Sequence, residues 1–140
     1  MSPIPRRLRQ RIAESAKYRC GYCQTQEPVI GMPLEVEHII PEALGGDSTE
    51  SNLWLACPSC NRHKAQRIHA IDPETGNDVP LFNPRRQLWH DHFSWQDNGL
   101  YIVGVTPIGR ATVHVLHMNN SFVVRARRGW IIAGWHPPSE

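Results

Sequence analysis

Apolar and polar positions recur along this chain in two different periods. Leu8, Ile12 and Ala16 fall four residues apart, with Arg6, Arg7, Arg9 and Arg11 around them. That spacing predicts an amphipathic helix starting at Ser2 or Pro3, both suited to a helix N-terminus, and running to about Tyr18. Residues 24–33, punctuated by Pro28, Gly31 and Pro33, read as a loop. Leu34 to Ile40 partly alternates and is β-branched, which predicts a strand ended by Pro41. A loop with Gly45 and Gly46 follows. Asn52-Leu53-Trp54-Leu55-Ala56 predicts a second short strand, and a helix is expected from Ser59 or Cys60 to about Ile68. The order strand, loop, strand, helix is a β-β-α unit.

The second half is patterned differently. Residues 72–77 are turn-rich, and Gln87 to Phe93 suggests a short helical turn with Trp89 buried. Phe93-Ser94-Trp95 and Leu100 to Val105 flank Asp97-Asn98-Gly99, a strong hairpin signal. Thr106-Pro107 reads as an N-cap followed by proline at the first helical position, with Ala111, Val115 and Met118 on one face. Asn119-Asn120-Ser121 breaks that helix and caps another, from Phe122 to about Ala133, ended by Gly134. The Val-rich stretches here also suit strands; helix is the preferred reading. The class is therefore α+β. One domain is expected over residues 1–140, with a core over 18–68 and a C-terminal extension over 80–140 packed on it.

Composition changes this picture little. Of 140 residues, 40% are hydrophobic and 20% charged, as in a folded protein rather than a disordered one. No apolar run is long enough for a membrane span, and the basic N-terminus lacks an apolar region after it, so a cytoplasmic protein is expected. The net charge of +2 is a mild bias. Its distribution says more: arginines cluster at the start, Arg62, Lys64 and Arg67 follow the β-β-α unit, and Arg125, Arg127 and Arg128 lie near the end.

The four cysteines form two C-x-x-C pairs, Cys20/Cys23 and Cys57/Cys60. Four thiolates are the tetrahedral set that zinc prefers. Two disulfides fit poorly without an oxidising compartment, and a redox C-x-x-C would be expected once rather than twice. The zinc would be structural, because four thiolates leave no position for water. It would fasten the N-terminal helix to the start of the β-β-α helix.

Asn52 follows His38 by fourteen positions and Asn61 follows it by twenty-three. On a β-β-α unit His38 ends the first strand, Asn52 opens the second, and Asn61 sits on the first helical turn. All three then converge on one cleft with Glu37.

Cys20-Gly21-Tyr22-Cys23, Glu37-His38-Ile39-Ile40-Pro41, Gly45-Gly46, Ser51-Asn52-Leu53 and Cys57-Pro58-Ser59-Cys60-Asn61-x-x-Lys64 together resemble the HNH endonuclease family, the ββα-metal nucleases. The resemblance covers residues 18–67 closely and implies a ββα-metal core with a structural zinc; the N-terminal helix and the C-terminal β-hairpin plus helices come from the residue pattern. It implies that His38 is the general base, that Glu37 and Asn61 bind one divalent metal, Mg²⁺ or Mn²⁺, and that Asn52 holds the loop and helps orient the imidazole. Arg62, Lys64 or Arg67 would neutralise flanking phosphates. Glu37 stands where many members carry aspartate, and Asn61 where histidine is frequent. His63 is the alternative metal ligand to Asn61, although residues two apart on a helix do not share a face.

The function this implies is metal-dependent hydrolysis of DNA phosphodiesters. A zinc-stapled module that binds nucleic acid without cutting is the alternative, and an RNA-directed nuclease is a third reading. One ββα site cuts one strand, so double-strand breaks would call for a homodimer.

Overall fold

The computed structural model describes residues 3–139. It resolves into two compact units. The first comprises the described residues up to Ile68 together with Asn83–Arg86; the second comprises His69–Phe82 and the described residues from Gln87 onward.

The first unit opens with α1 (Arg6–Ser15). Of the two starts expected for this helix, Ser2 lies outside the described residues and Pro3 precedes it. Proline restricts the residue before it to extended backbone, so Ile4 cannot be helical and the helix begins only after Pro5. Its apolar stripe faces inward: Ile12 is fully buried, and α1 packs on the second strand. The helix ends before the expected Tyr18, because Lys17 and Tyr18 turn the chain at φ of 56° and 57°. The expected loop over 24–33 contains one helical turn, α2 (Glu27–Ile30), with Pro28 in its first positions and Gly31 closing it at φ 68°.

Strands β1 (Glu35–His38) and β2 (Leu53–Ala56) pair antiparallel, with Glu35 opposite Ala56 and His38 opposite Leu53. β1 is shorter than the sequence suggests. The last cross-strand bond is Ile39 N–H to Asn52 O, and the Ile40 N–H is taken by the Asn52 side chain. Helix α3 (Pro58–Lys64) follows, with Cys57 as its N-cap and Pro58 at its first position. It stops four residues short of Ile68 because Ala65 leaves helical space at φ 50°. Asn83–Arg86 completes this unit. The Arg85 guanidinium lies over the Trp54 ring and donates twice to the Leu53 carbonyl.

The second unit begins with a hairpin that the sequence pattern does not predict, β3 (His69–Ile71) and β4 (Asp78–Pro80). Three-residue strands show no readable alternation; only the turn between them is visible in the pattern. Asp72 stands at that turn, fully buried. It accepts from Arg110 Nε and Nη2 at 3.0 and 2.9 Å, and from Glu74 N and Thr75 Oγ1. The short helix α4 (Trp89–His92) leads into β5 (Phe93–Gln96), which pairs with β6 (Tyr101–Gly104). Trp89 is half-buried rather than buried, stacked on Phe93 and tilted against Trp95. Helices α5 (Pro107–Val115), capped by Thr106, and α6 (Ser121–Ile132), capped by Asn120, settle the Val-rich stretches as helical. No helix among the described residues is long and apolar enough to cross a membrane.

Candidate active site

Two clusters of chemistry-bearing side chains occupy the first unit. In one, Cys20, Cys23, Cys57 and Cys60 are all buried and their sulfurs lie within 4.8 Å of one another. The first knuckle is fixed by the Gly21 N–H donating to Leu55 O at 2.9 Å. A side chain at Gly21 would run into the Trp54 ring and Pro84, so this approach requires glycine. The second knuckle is the first turn of α3, where Cys60 N donates to Cys57 Sγ.

A tetrahedral ion with metal–sulfur bonds of about 2.3 Å spaces its ligands by about 3.8 Å. Cys23 and Cys57 sulfurs stand 3.6 Å apart. Burial pushes the Cys20 thiol well up, and hydrogen bonds from the other sulfurs do the same to Cys60. Four enclosed sulfurs cannot share negative charge without a cation among them. The cysteines are positioned to hold a metal ion, and this donor set and geometry fit zinc.

The second cluster is a cleft of about 360 Å³ whose lining includes Glu37, His38, Glu42, Asn61 and Arg9. The strand alternation of β1 puts Glu35 and Glu37 on the side of α3. Asn61 Nδ2 donates to Glu35 Oε1 at 2.8 Å, which orients the amide. Glu37 is 3% exposed. Its Oε2 accepts from the Tyr22 hydroxyl at 2.8 Å. Its Oε1 meets the Lys64 ammonium at 2.7 Å as an ion pair, yet accepts no well-aligned hydrogen bond. Burial pushes the Glu37 carboxyl up, and Lys64 and Tyr22 pull the other way. Burial and the neighbouring Glu37 push the Tyr22 hydroxyl well up, so it stays a donor.

His38 is half-buried. Its Nε2 stands 3.0 Å from Ser48 Oγ and 3.6 Å from Glu42 Oε1. Asn52 does not touch the imidazole. Its Oδ1 accepts from Ile40 N at 2.8 Å, and its Nδ2 donates to Ile40 O and Asp47 O at 3.0 and 2.8 Å. It clamps the loop that carries Glu42 and Ser48. Gly46 lies so close to the Ile40 carbonyl that any side chain there would displace this clamp.

The structure thus brings Glu37, His38 and Asn61 to one cleft, with Asn52 supporting it from behind. His63 is not among the cleft residues; its Nδ1 lies 2.9 Å from Ser59 O, one turn back along α3. Lys64, expected to meet a phosphate, is 2% exposed and donates to the His38 and Ile39 carbonyls at 3.2 and 2.9 Å. On the last turn of α3 it points inward as the counter-ion of Glu37. Arg62 and Arg67 are exposed, and Arg67 donates to His63 O. Tyr22, Glu35, Glu42 and Ser48 are not singled out by sequence. Only the two-residue step from Glu35 to Glu37 announces that both carboxylates share a strand face.

The buried Glu37 Oε1 and the Asn61 amide are oxygen donors, which suit a hard divalent cation. The Glu37 carboxylate and the Asn61 amide both line the cleft, and this donor set fits such an ion.

Comparison with curated proteins and with solved structures yields no match. The family model described as HNH endonuclease matches residues 20–67, the span that holds both cysteine knuckles, β1, β2 and α3. Residues 20–67 are thus similar to an HNH endonuclease domain, a family whose substrate is a nucleic acid.

Proposed function

We propose that the first unit hydrolyses DNA phosphodiester bonds with the help of a divalent metal. The observation that supports this most is the meeting of Glu37, His38 and Asn61 at one cleft. His38 takes the proton from the attacking water. In the tautomer whose Nε2–H donates to Ser48 Oγ, Nδ1 keeps the lone pair that a base needs. Glu37 and Asn61 hold Mg²⁺ or Mn²⁺, which supplies charge stabilisation to the scissile phosphate and the leaving 3′ oxygen. Tyr22 and Lys64 fix the Glu37 carboxylate, and Asn52 keeps the His38 loop closed. Arg62 and Arg67 are the exposed cations beside this unit's helix that can meet flanking phosphates. The cysteines hold a structural zinc.

The burial of Glu37 and its pairing with Lys64 favour one second reading, in which Glu37 is structural and the unit binds nucleic acid without cutting it. Supercoiled plasmid separates the two. Zinc-loaded protein should nick it with Mg²⁺ or Mn²⁺ and not with EDTA, and His38→Ala should bind it without nicking. A folded wild type that cuts neither DNA nor RNA with any metal would favour the binding module.

A further inference from the structure

The last helix of the second unit carries two exposed arginines without a carboxylate partner among the described residues. Residues 98–139 contain four arginines and no aspartate or glutamate. Two of the four are accounted for inside the unit. Arg110 is paired with Asp72 and Glu74. Arg127 is fully buried and donates to Leu100 O, Met118 O and Asn119 Oδ1. The other two are Arg125 and Arg128, three residues apart on the outer face of α6, both exposed, with no carboxylate partner among the described residues. Like charges at this helical spacing repel.

These arginines line a groove of about 380 Å³ together with Tyr101, Asn119, Ser121 and Val124. Asn119 is committed to the fold: its amide bonds both backbone groups of Ile102, which fixes the start of α6 against β6. The groove is therefore a built feature of α6 and β6. Its wall offers two guanidinium groups and the hydroxyls of Tyr101 and Ser121, a donor set suited to phosphate oxygens.

We infer that the α6–β6 groove binds the sugar-phosphate backbone of double-stranded DNA, through Arg125 and Arg128. This rests on the reading of the first unit as a DNA nuclease, which supplies the reason for a polyanionic partner. The groove confers no base selectivity, because arginine–phosphate bonds position a protein without reading sequence.

The test uses the full chain carrying His38→Ala, in EDTA, so that failure to cut cannot be mistaken for failure to bind. Binding to a fluorescent 20-base-pair duplex is followed by anisotropy across a salt series. Arg125→Ala with Arg128→Ala should weaken binding roughly tenfold or more near 0.1 M salt. It should also reduce the slope of log K against log salt by about 1.8, that is, about 0.9 for each phosphate no longer neutralised. Lysine at both positions should restore most of the slope, and glutamate at both should weaken binding further than alanine. Unchanged affinity and slope in the folded alanine variant would overturn the inference, as would a parent protein that binds no duplex. Phe122, next to Ser121, is 82% exposed, so vesicles of anionic lipid form a second arm. Arginine-dependent vesicle binding with arginine-independent DNA binding would assign the groove to a lipid surface instead.

Discussion

Lys64 holds three oxygens at once: two backbone carbonyls of the β1 end and the carboxylate of Glu37. Taking both charges out of water costs several kcal/mol each, and only their mutual attraction and added hydrogen bonds offset it. Removing one partner leaves the other buried and unpaired. Lys64→Met should therefore destabilise the folded protein by about 3–5 kcal/mol in urea unfolding; a loss below about 1 kcal/mol would contradict the ion pair. Asp72 makes a different prediction. Arg110 holds its carboxyl well below the usual carboxylate range. A carboxyl with a depressed folded-state pKa stabilises above its unfolded value of about 4 and loses that contribution as pH falls below it. The stability gap between wild type and Asp72→Asn should be widest near neutrality and should narrow below about pH 4. A gap independent of pH would show that Asp72 acts through shape alone. Sequence disclosed the candidates at this scale but not their surroundings. Lys64 sits in Asn-Arg-His-Lys, a run that reads as solvated, and its buried partners lie at the end of β1, more than twenty residues away. Tyr22 lies within a cysteine knuckle, where nothing local ties it to a carboxylate fifteen residues away.

The loop from Ile39 to Asn52 behaves as one element because a single amide spans it. Asn52 makes three hydrogen bonds to its backbone, each worth about 1 kcal/mol net. Asn52→Ala should cost about 2–3 kcal/mol and lower nicking by loosening Ser48 and Glu42 around His38. Asn52→Asp keeps the acceptor for Ile40 N but turns a carboxylate oxygen on the Ile40 and Asp47 carbonyls, so it should be no better than alanine in thermal unfolding and in rate. Equal stability of alanine and wild type would refute the clamp. The strands, the main helix and both capped C-terminal helices were legible because periodicity and capping residues are local signals. The lost ends of β1 and α3, the turn α2 and the β3–β4 hairpin were not. Each depends on a partner distant in sequence, or is too short to show a period.

At the scale of the molecule, the metal cluster joins pieces that are remote in sequence. Its four ligands were the clearest reading of the chain, because cysteine spacing reports coordination directly. Purified wild type should contain one zinc per chain by elemental analysis, and Cys20→Ser should lose the metal and melt at a lower temperature. A Cys20→Ser protein that retains full metal and stability would show that the cluster is not what fastens these pieces. The cluster of Arg125, Arg127 and Arg128 was also visible in the sequence. Which arginines turn outward was not, because that follows from the rotation of α6 about Arg127.

The central question is whether the cleft of Glu37, His38 and Asn61 is the hydrolytic site. The most direct measurement compares single-turnover plasmid nicking by wild type, His38→Ala, Asn61→Ala and His63→Ala across a Mg²⁺ and Mn²⁺ series. His38→Ala and Asn61→Ala should each lose about a hundredfold or more, and Asn61→Ala should need more metal for what activity remains. His63→Ala should stay within a few-fold of wild type. Loss of nicking in His63→Ala with Asn61→Ala unaffected, or cleavage that survives His38→Ala, would contradict the site described here.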